Sequence, residues 1–442
     1  MKKIAIFGAG RSTHYLFSYL NRLIADGHAL TVKVYDNSED NLNYQLHDLP
    51  HISSHPIDVG SALAVQHAIM GCDIAVSMLP PALHMNVARF CIEHGKHLAT
   101  ASYVSPEMQA LHHEALINGL VFINELGLDP GIDHLSAMQT LDRLRAQGAE
   151  ILGFESFCGG LICEDSVRDN PWKYKFTWNP RNVVLAGQAG MAVYRHHGHL
   201  KCIPYNTLFS RYDTYDIPGY GLFEAYANRD SLGYERAYRL EGVPTLYRGT
   251  LRKAGFCDAW QTLVRLGMTD NQTQLKIPGL TGLGFLEIFL PDSGISPAER
   301  LRNLTGASDS SIEAIRWLGL MDPTPLPLCE GSPADILQAL LQQRWAMQPG
   351  DRDLVAMLHE FRYRLDGKEK TLRSWMTVEG EDQRKTAMSR TVGLPLAMGV
   401  RLLAEDRIKG KGVMIPVEAQ WYEPILGWLE EEGIRFGEAE MD

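Results

Sequence analysis

The first 130 residues alternate between two hydrophobic periodicities. "KIAIFGAG" (3–10) is a continuous apolar run ending in glycines, the pattern of a strand buried on both faces of a parallel sheet. "STHYLFSYLNRLIADG" (12–27) then carries apolar residues at helical spacing and stops at Gly27. The same strand-then-helix reading repeats: "LTVKVYDN" is followed by "SALAVQHAIMGCD", "IAVSMLPP" by "LHMNVARFCIEHG", "HLATASY" by "SPEMQALHHEALING", and then comes "LVFINELGL". Repeated βα units with short connections predict a doubly wound parallel sheet, an α/β fold.

From about residue 151 the pattern changes. Strand-like pieces ("ILGFESFCGG", "ERAYRLEG", "TLYRGTLR") are separated by Gly, Pro and aromatic segments such as "SVRDNPWKYKFTWNPRN". That predicts a second, more antiparallel α+β domain. Residues 296–365 turn helical ("SPAERLRNLTG", "SSIEAIRWLGLM", "SPADILQALLQQRW", "DRDLVAMLHEFRYRL"), several opening on Ser-Pro or Asp caps, and predict a small all-α insertion. "KTLRSWMTVEG" resumes strand character. The last fifty residues read as two helices around a short apolar link. The expected division is 1–128, completed by 392–442, and 129–391, with the insertion at 296–365.

Bulk properties narrow the classes. The 442 residues allow two or three domains with substantial cores. A formal net charge of −11 with no basic run argues against nucleic acid as a partner. No apolar stretch approaches the roughly 20 residues that span a bilayer, and "MKKIAIFGAG" runs into glycines too soon for a signal peptide. Seven scattered cysteines favour reduced thiols and a cytoplasmic location. "RHHGHLKC" (195–202) has no metal-site spacing and reads as a solvated loop, so no metal is expected.

The first strand, its glycines and the helix that follows form a dinucleotide fingerprint. Gly8 permits the tight turn and Gly10 a close approach to a pyrophosphate. Arg11 and Ser12 lie in the loop, and Thr13 stands where Gly or Ala is usual, implying a wider strand–helix contact. Asp36 ends the second strand, where a carboxylate accepts from ribose hydroxyls and repels a 2′-phosphate, which argues for NAD over NADP. The alternative for Asp36 is a turn residue before Asn37. Asp58 and Val59 are candidates to flank the adenine, Leu79 and Pro80 to wall the adenosine or nicotinamide riboside; each is otherwise an ordinary loop residue.

"SYVSPEM", "NELGLDPGIDHLSAM", "FCGGL", "NPWKYKFTWNPRNVVLAG", "YANRDS", "YRGTLRKAGF" and the closing "GLPLAMGVRLL" and "GVMIPV" occur in that order along nearly the whole chain. Together they resemble the saccharopine dehydrogenase family, of the L-glutamate-forming type. The resemblance implies a Rossmann-type sheet, a substrate domain with a small all-α insertion, and a chain that returns to the first domain. It implies oxidation of saccharopine with NAD(P) and water to L-glutamate and 2-aminoadipate 6-semialdehyde, and is compatible with a homodimer. Asp129, Tyr103 and Cys158 would stand at the reacting centre. Ser102, Gly159, Arg229 and Thr250 would join them in holding substrate, Arg229 as a bidentate carboxylate clamp. Glu125 and Leu128 would face the nicotinamide, Pro130 would fix the turn, and Trp172 would close over the cofactor or belong to the core. Asp133 would cap the next helix, with His134 a satisfied core histidine. Fungal members prefer NADP and lack the acid at the second strand's end, so Asp36 is a departure. Competing readings are carboxynorspermidine synthase, lysine 6-dehydrogenase, and a non-catalytic NAD-binding sensor.

Overall fold

Six short strands follow one another at the start of the chain: β1 (Lys2–Phe7), β2 (Leu30–Asp36), β3 (Ile52–Pro56), β4 (Ile74–Ser77), β5 (His97–Thr100) and β6 (Val121–Ile123). All run parallel in the order β6-β5-β4-β1-β2-β3, so β1 lies between β2 and β4 and the strand order reverses there. In such a sheet the carboxyl ends of strands at the reversal form the ligand crevice. The apolar runs are buried as expected, with Phe7, Ala75, Leu98 and Phe122 in one core cluster. The helix His14–Ala25 turns Leu16, Phe17, Leu20 and Leu23 inward, and the chain leaves it at Gly27 with φ +92°.

The computed structural model describes residues 1–188 and 190–441. Its two compact units are 1–148 with 380–435, and 149–379 with the segment from 436 on. The second unit contains β7 (Glu150–Ile162), the β8 (Ala192–His196) and β9 (His199–Ile203) hairpin, β10 (Tyr212–Ile217), β11 (Gly221–Ala227) and β12 (Thr245–Lys253). It continues with the short β13 (Leu275–Lys276) and β14 (Glu330–Gly331), then β15 (Asp353–Leu365) and β16 (Lys368–Glu379). The chain then supplies β17 (Gly412–Met414), which extends the first sheet beside β6, and β18 (Gly437–Met441), which extends the second beside β16. The main path of the second sheet is β10-β11-β12-β7-β15-β16-β18, antiparallel except where β12 meets β7.

Several expectations need correcting. Residues 351–365 are not a helix, and β15 lies inside the second sheet between β7 and β16. Its first seven residues are all buried, and a run apolar on both faces carries no periodicity that separates strand from helix. The helical stretch ends at Arg344, after Gly282–Glu287, Pro297–Thr305, Asp309–Trp317 and Pro333–Arg344. "ERAYRLEG" is a series of turns, and "SPEMQALHHEALING" breaks at Leu111 into two short helices. "RHHGHLKC" is most of the β8–β9 hairpin, turning at His197-Gly198.

The unit boundaries also fall elsewhere. The helix Ile132–Ala146 belongs with the first unit, where Tyr422 Oη donates to Asp142 Oδ2 at 3.0 Å. Residues 380–391 belong there too: the Tyr15 amide donates to Ser389 Oγ at 3.3 Å and Arg384 pairs with Asp48. β18 takes the last described residues, expected with the first domain, into the second unit.

Candidate active site

In the first unit, β1 delivers the chain to Gly8-Ala9-Gly10. Gly8 has φ +106°, and a Cβ there would come within 2.7 Å of the Met78 carbonyl oxygen. A side chain would therefore force apart the tips of β1 and β4. A Cβ on Gly10 would meet nothing within 4 Å. That open approach to bare backbone, just before a helix N-terminus, fits a pyrophosphate. Thr13 ties the loop: its hydroxyl donates to the Gly10 carbonyl at 2.7 Å, as does Gln45 Nε2 at 3.2 Å. Arg11 is exposed and Ser12 half-buried beside it.

Asp36 is buried at the end of β2. Its Oδ2 accepts from the Ala9 amide at 2.7 Å and its Oδ1 from the Ser38 amide at 2.8 Å. The turn reading of this residue therefore holds in geometry, and the carboxylate also braces the glycine loop. Each oxygen retains capacity for a second bond. Asp58 is exposed and closes a turn onto the Gly60 amide at 2.9 Å, while Val59 and Leu79 are buried in the core cluster. Pro80 is exposed at the start of the helix Pro81–His94.

The carboxyl ends of β5 and β6 carry the next group. Tyr103 is 52% exposed, and its hydroxyl donates to Asp129 Oδ1 at 3.1 Å. Ser102 Oγ lies 2.8 Å from His84 Nε2, and His84 Nδ1 lies 2.7 Å from Ser77 Oγ. Burial pushes His84 down to about 4, so it is neutral and links two hydroxyls. The turn after Asp129-Pro130 depends on Gly131, at φ +147°, where a Cβ would fall 2.0 Å from the Gly127 carbonyl oxygen. Pro130 and Leu128 are both buried. Asp133 does not cap the next helix as expected: it is the helix's second residue, the N-cap is Gly131, and Asp133 Oδ1 accepts from the Gly131 amide at 2.6 Å. Glu125 departs from its expected role: its carboxylate is 4% exposed and turned into the fold, bonded to the Val104 amide and to His134.

In the second unit, register brings Cys158 on β7, Thr250 on β12 and Tyr226 on β11 side by side. Thr250 Oγ1 donates to Asn228 Oδ1 at 2.8 Å. Arg252, two residues on and so on the same face, is buried without an acidic partner. Its bonds go to the Leu251 carbonyl at 3.0 Å and the Tyr226 hydroxyl at 3.3 Å, and its Nε is unpaired. A buried guanidinium lacking a carboxylate is costly unless a ligand supplies one. Arg229 is exposed, with one long bond to the Gln188 carbonyl at 3.4 Å, and can reorient.

Gly159 sits inside the β7 ladder opposite Ala356, and the space a side chain would need is taken by Leu251, whose carbonyl oxygen lies 2.6 Å from a built Cβ, so the position requires glycine. One expected role does not survive here. Trp172 is 1% exposed, stacks edge-on with Phe256, Trp260 and Trp345, and donates its indole N–H to the Ala314 carbonyl at 2.8 Å. It has no face left for a cofactor.

His84 and Arg252 were missed in the sequence. The alternation in "YRGTLRK" pairs Arg252 with Thr250 and was a usable signal; nothing in "PPALHMN" marks His84. Among the described residues no group of three or more His, Cys, Asp or Glu can hold a metal, and no helix is long and apolar enough to cross a membrane.

A parallel sheet reversing at β1, an open glycine loop before a helix, and a buried acid behind that loop define a dinucleotide-binding oxidoreductase fold. Residues 4–123 match the family model described as saccharopine dehydrogenase NADP binding domain, and 127–434 the saccharopine dehydrogenase C-terminal domain. The chain belongs to the saccharopine dehydrogenase family. It is 31% identical to saccharopine dehydrogenase [NADP(+), L-glutamate-forming] of Schizosaccharomyces pombe, over 100% of both chains. It is 32% identical to the mitochondrial alpha-aminoadipic semialdehyde synthase of Mus musculus, over 98% of this chain but only 47% of that protein. The apo saccharopine dehydrogenase (L-Glu forming) of Saccharomyces cerevisiae superposes with a TM-score of 0.87 at 27% identity, over 100% of both chains.

Proposed function

We propose that the chain catalyses the reversible oxidation of saccharopine with a nicotinamide nucleotide and water, giving L-glutamate and 2-aminoadipate 6-semialdehyde. One observation carries this reading above the others. The Tyr103–Asp129 pair stands at the same strand-end rim as the glycine loop, in a chain that matches L-glutamate-forming relatives from end to end.

A nicotinamide nucleotide held at the Gly8–Gly10 loop would supply the acceptor for the hydride lost from the carbon beside the secondary amine. The chain's own residues do the rest. Asp129 Oδ accepts from the substrate's secondary ammonium, and the Tyr103 hydroxyl keeps that carboxylate aimed. Between them they take the proton as the amine is oxidised and return one as water adds. Arg229 and Arg252 pair with substrate carboxylates, Thr250 adds a hydroxyl donor, and Cys158 lines the same face without forming a covalent bond.

Asp36 argues for NAD: a buried carboxylate directly behind the loop opposes a 2′-phosphate. The relatives named for NADP(+) point the other way, so the ratio of kcat/KM values for the two nucleotides is the deciding quantity. The test is absorbance at 340 nm with saccharopine, lysine and carboxynorspermidine, each with both nucleotides. Turnover of saccharopine alone is expected. Reduction driven by lysine or carboxynorspermidine without saccharopine turnover refutes the reading.

A further inference from the structure

Glu125 is a buried acid at the strand-end rim whose carboxylate turns into the fold. It is a non-glycine residue at φ +56°, a conformation held only where the surroundings over-determine it. Its amide donates to the Ser102 carbonyl at 3.0 Å, and its Oε1 accepts from the Val104 amide at 3.0 Å. Glu125 thus grips the chain on both sides of Tyr103. Its Oε2 lies 2.8 Å from Nε2 of His134, which is fully buried in the first turn of the helix after Asp129-Pro130. His134 Nδ1 in turn faces Asp133 Oδ2 at 3.8 Å, and Asp133 Oδ1 holds the Gly131 amide. A single buried carboxylate therefore joins the segment carrying Tyr103 to the segment carrying Asp129.

We infer that Glu125, acting through His134, is a positioning residue that sets the Tyr103–Asp129 pair, and that its carboxylate is not a cofactor ligand. A buried carboxylate costs desolvation that apolar packing would avoid. Here it supplies two directional contacts to different segments, which an apolar side chain of equal size cannot do. A displacement near 1 Å at a reacting group lowers turnover about 100-fold.

The inference rests on the proposed reaction, and steady-state kinetics of the full chain test it. Glu125→Ala should lower kcat about 100-fold while leaving the nucleotide KM within about twofold. Glu125→Gln keeps an acceptor for the Val104 amide and meets the other tautomer of His134, and should restore kcat to within about tenfold of wild type. In an Asp129→Asn background, Glu125→Ala should cost less than about threefold more, as for residues acting through one another. Full additivity, or a tenfold rise in nucleotide KM at unchanged kcat, overturns the inference. If Glu125→Ala does not fold, His134→Gln carries the same comparisons.

Wild-type protein that never turns over saccharopine would remove the reaction but not the positional claim. That claim has a readout of its own in crystal structures of the two Glu125 variants. The Tyr103–Asp129 hydrogen bond should survive in Glu125→Gln and be lost in Glu125→Ala; its survival in Glu125→Ala overturns the claim.

Discussion

Asp36 Oδ2 accepts the Ala9 amide at 2.7 Å, so the acid that ends β2 and the glycine loop that ends β1 form one hydrogen-bonded unit. Any ribose at this loop meets a carboxylate already fixed in place. Asp36→Ser should reduce kcat/KM with NAD about tenfold, the loss of a charged hydrogen bond, and raise it with NADP by removing repulsion. Competing nucleotide titrations followed by intrinsic fluorescence give the same ratio without substrate. An unchanged ratio would mean that Asp36 serves the loop alone.

His84 links stability to pH. Its pKa is lowered to about 4 in the fold by burial, against about 6.5 in an unfolded chain. Between those values the unfolded state binds the extra proton, so the contribution is intact above pH 6.5 and is lost as pH falls toward 4. By pH 5 the loss is about 2 kcal/mol. His14 is lowered to about 4 as well, chiefly by burial and then by Arg384, and adds in the same direction. The thermal midpoint should therefore fall more steeply from pH 7 to 5 in wild type than in His84→Gln. Equal slopes would refute the assignment.

Arg252 and Arg229 should separate by exposure. Arg229→Met removes an exposed side chain and should raise the saccharopine KM about tenfold or more, with the nucleotide KM unchanged and little change in melting temperature. Arg252→Met raises the same KM, but its apolar side chain suits the Tyr174, Tyr226 and Phe256 rings around it. Replacing a buried, unpaired charge in this way should leave stability equal or higher. A destabilised Arg252→Met with normal saccharopine KM would make the arginine structural.

Much of the first unit was legible because most of its elements have one dominant period. β1, β2, β4, β5 and β6 are short apolar runs, and the loop, Asp36 and Asp129 stand at their ends; β3, with one buried residue in Ile-Ser-Ser-His-Pro, and the polar helix Glu39–Leu46 before it carry no such pattern and were missed. β15 was illegible because it is buried on both faces, and Trp172 because an aromatic in a motif looks alike in a core and over a cofactor. The sequence separation from Ser102 to Glu125 to His134 hides their contact entirely. Only the parallel pairing of β5 with β6 brings those segments together.

Gly131 gives the sharpest test of the turn itself. It has φ +147°, and a Cβ would overlap the Gly127 carbonyl oxygen at 2.0 Å and its amide nitrogen at 2.2 Å. Both contacts are to backbone, so no side chain can swing aside. The Gly127 amide is also bonded to the Pro130 carbonyl at 2.9 Å, which closes the loop that carries Asp129. Gly131→Ala must therefore open this loop and move Asp129 away from Tyr103. Catalysis should fall at least about 100-fold, and stability by about 2 kcal/mol or more from backbone strain. Gly10→Ala, beside open space, should keep its melting temperature and lose nucleotide affinity instead. Opposite outcomes for the two glycines would separate a residue that shapes the Asp129 turn from one that makes room for phosphate. Similar outcomes would refute that division.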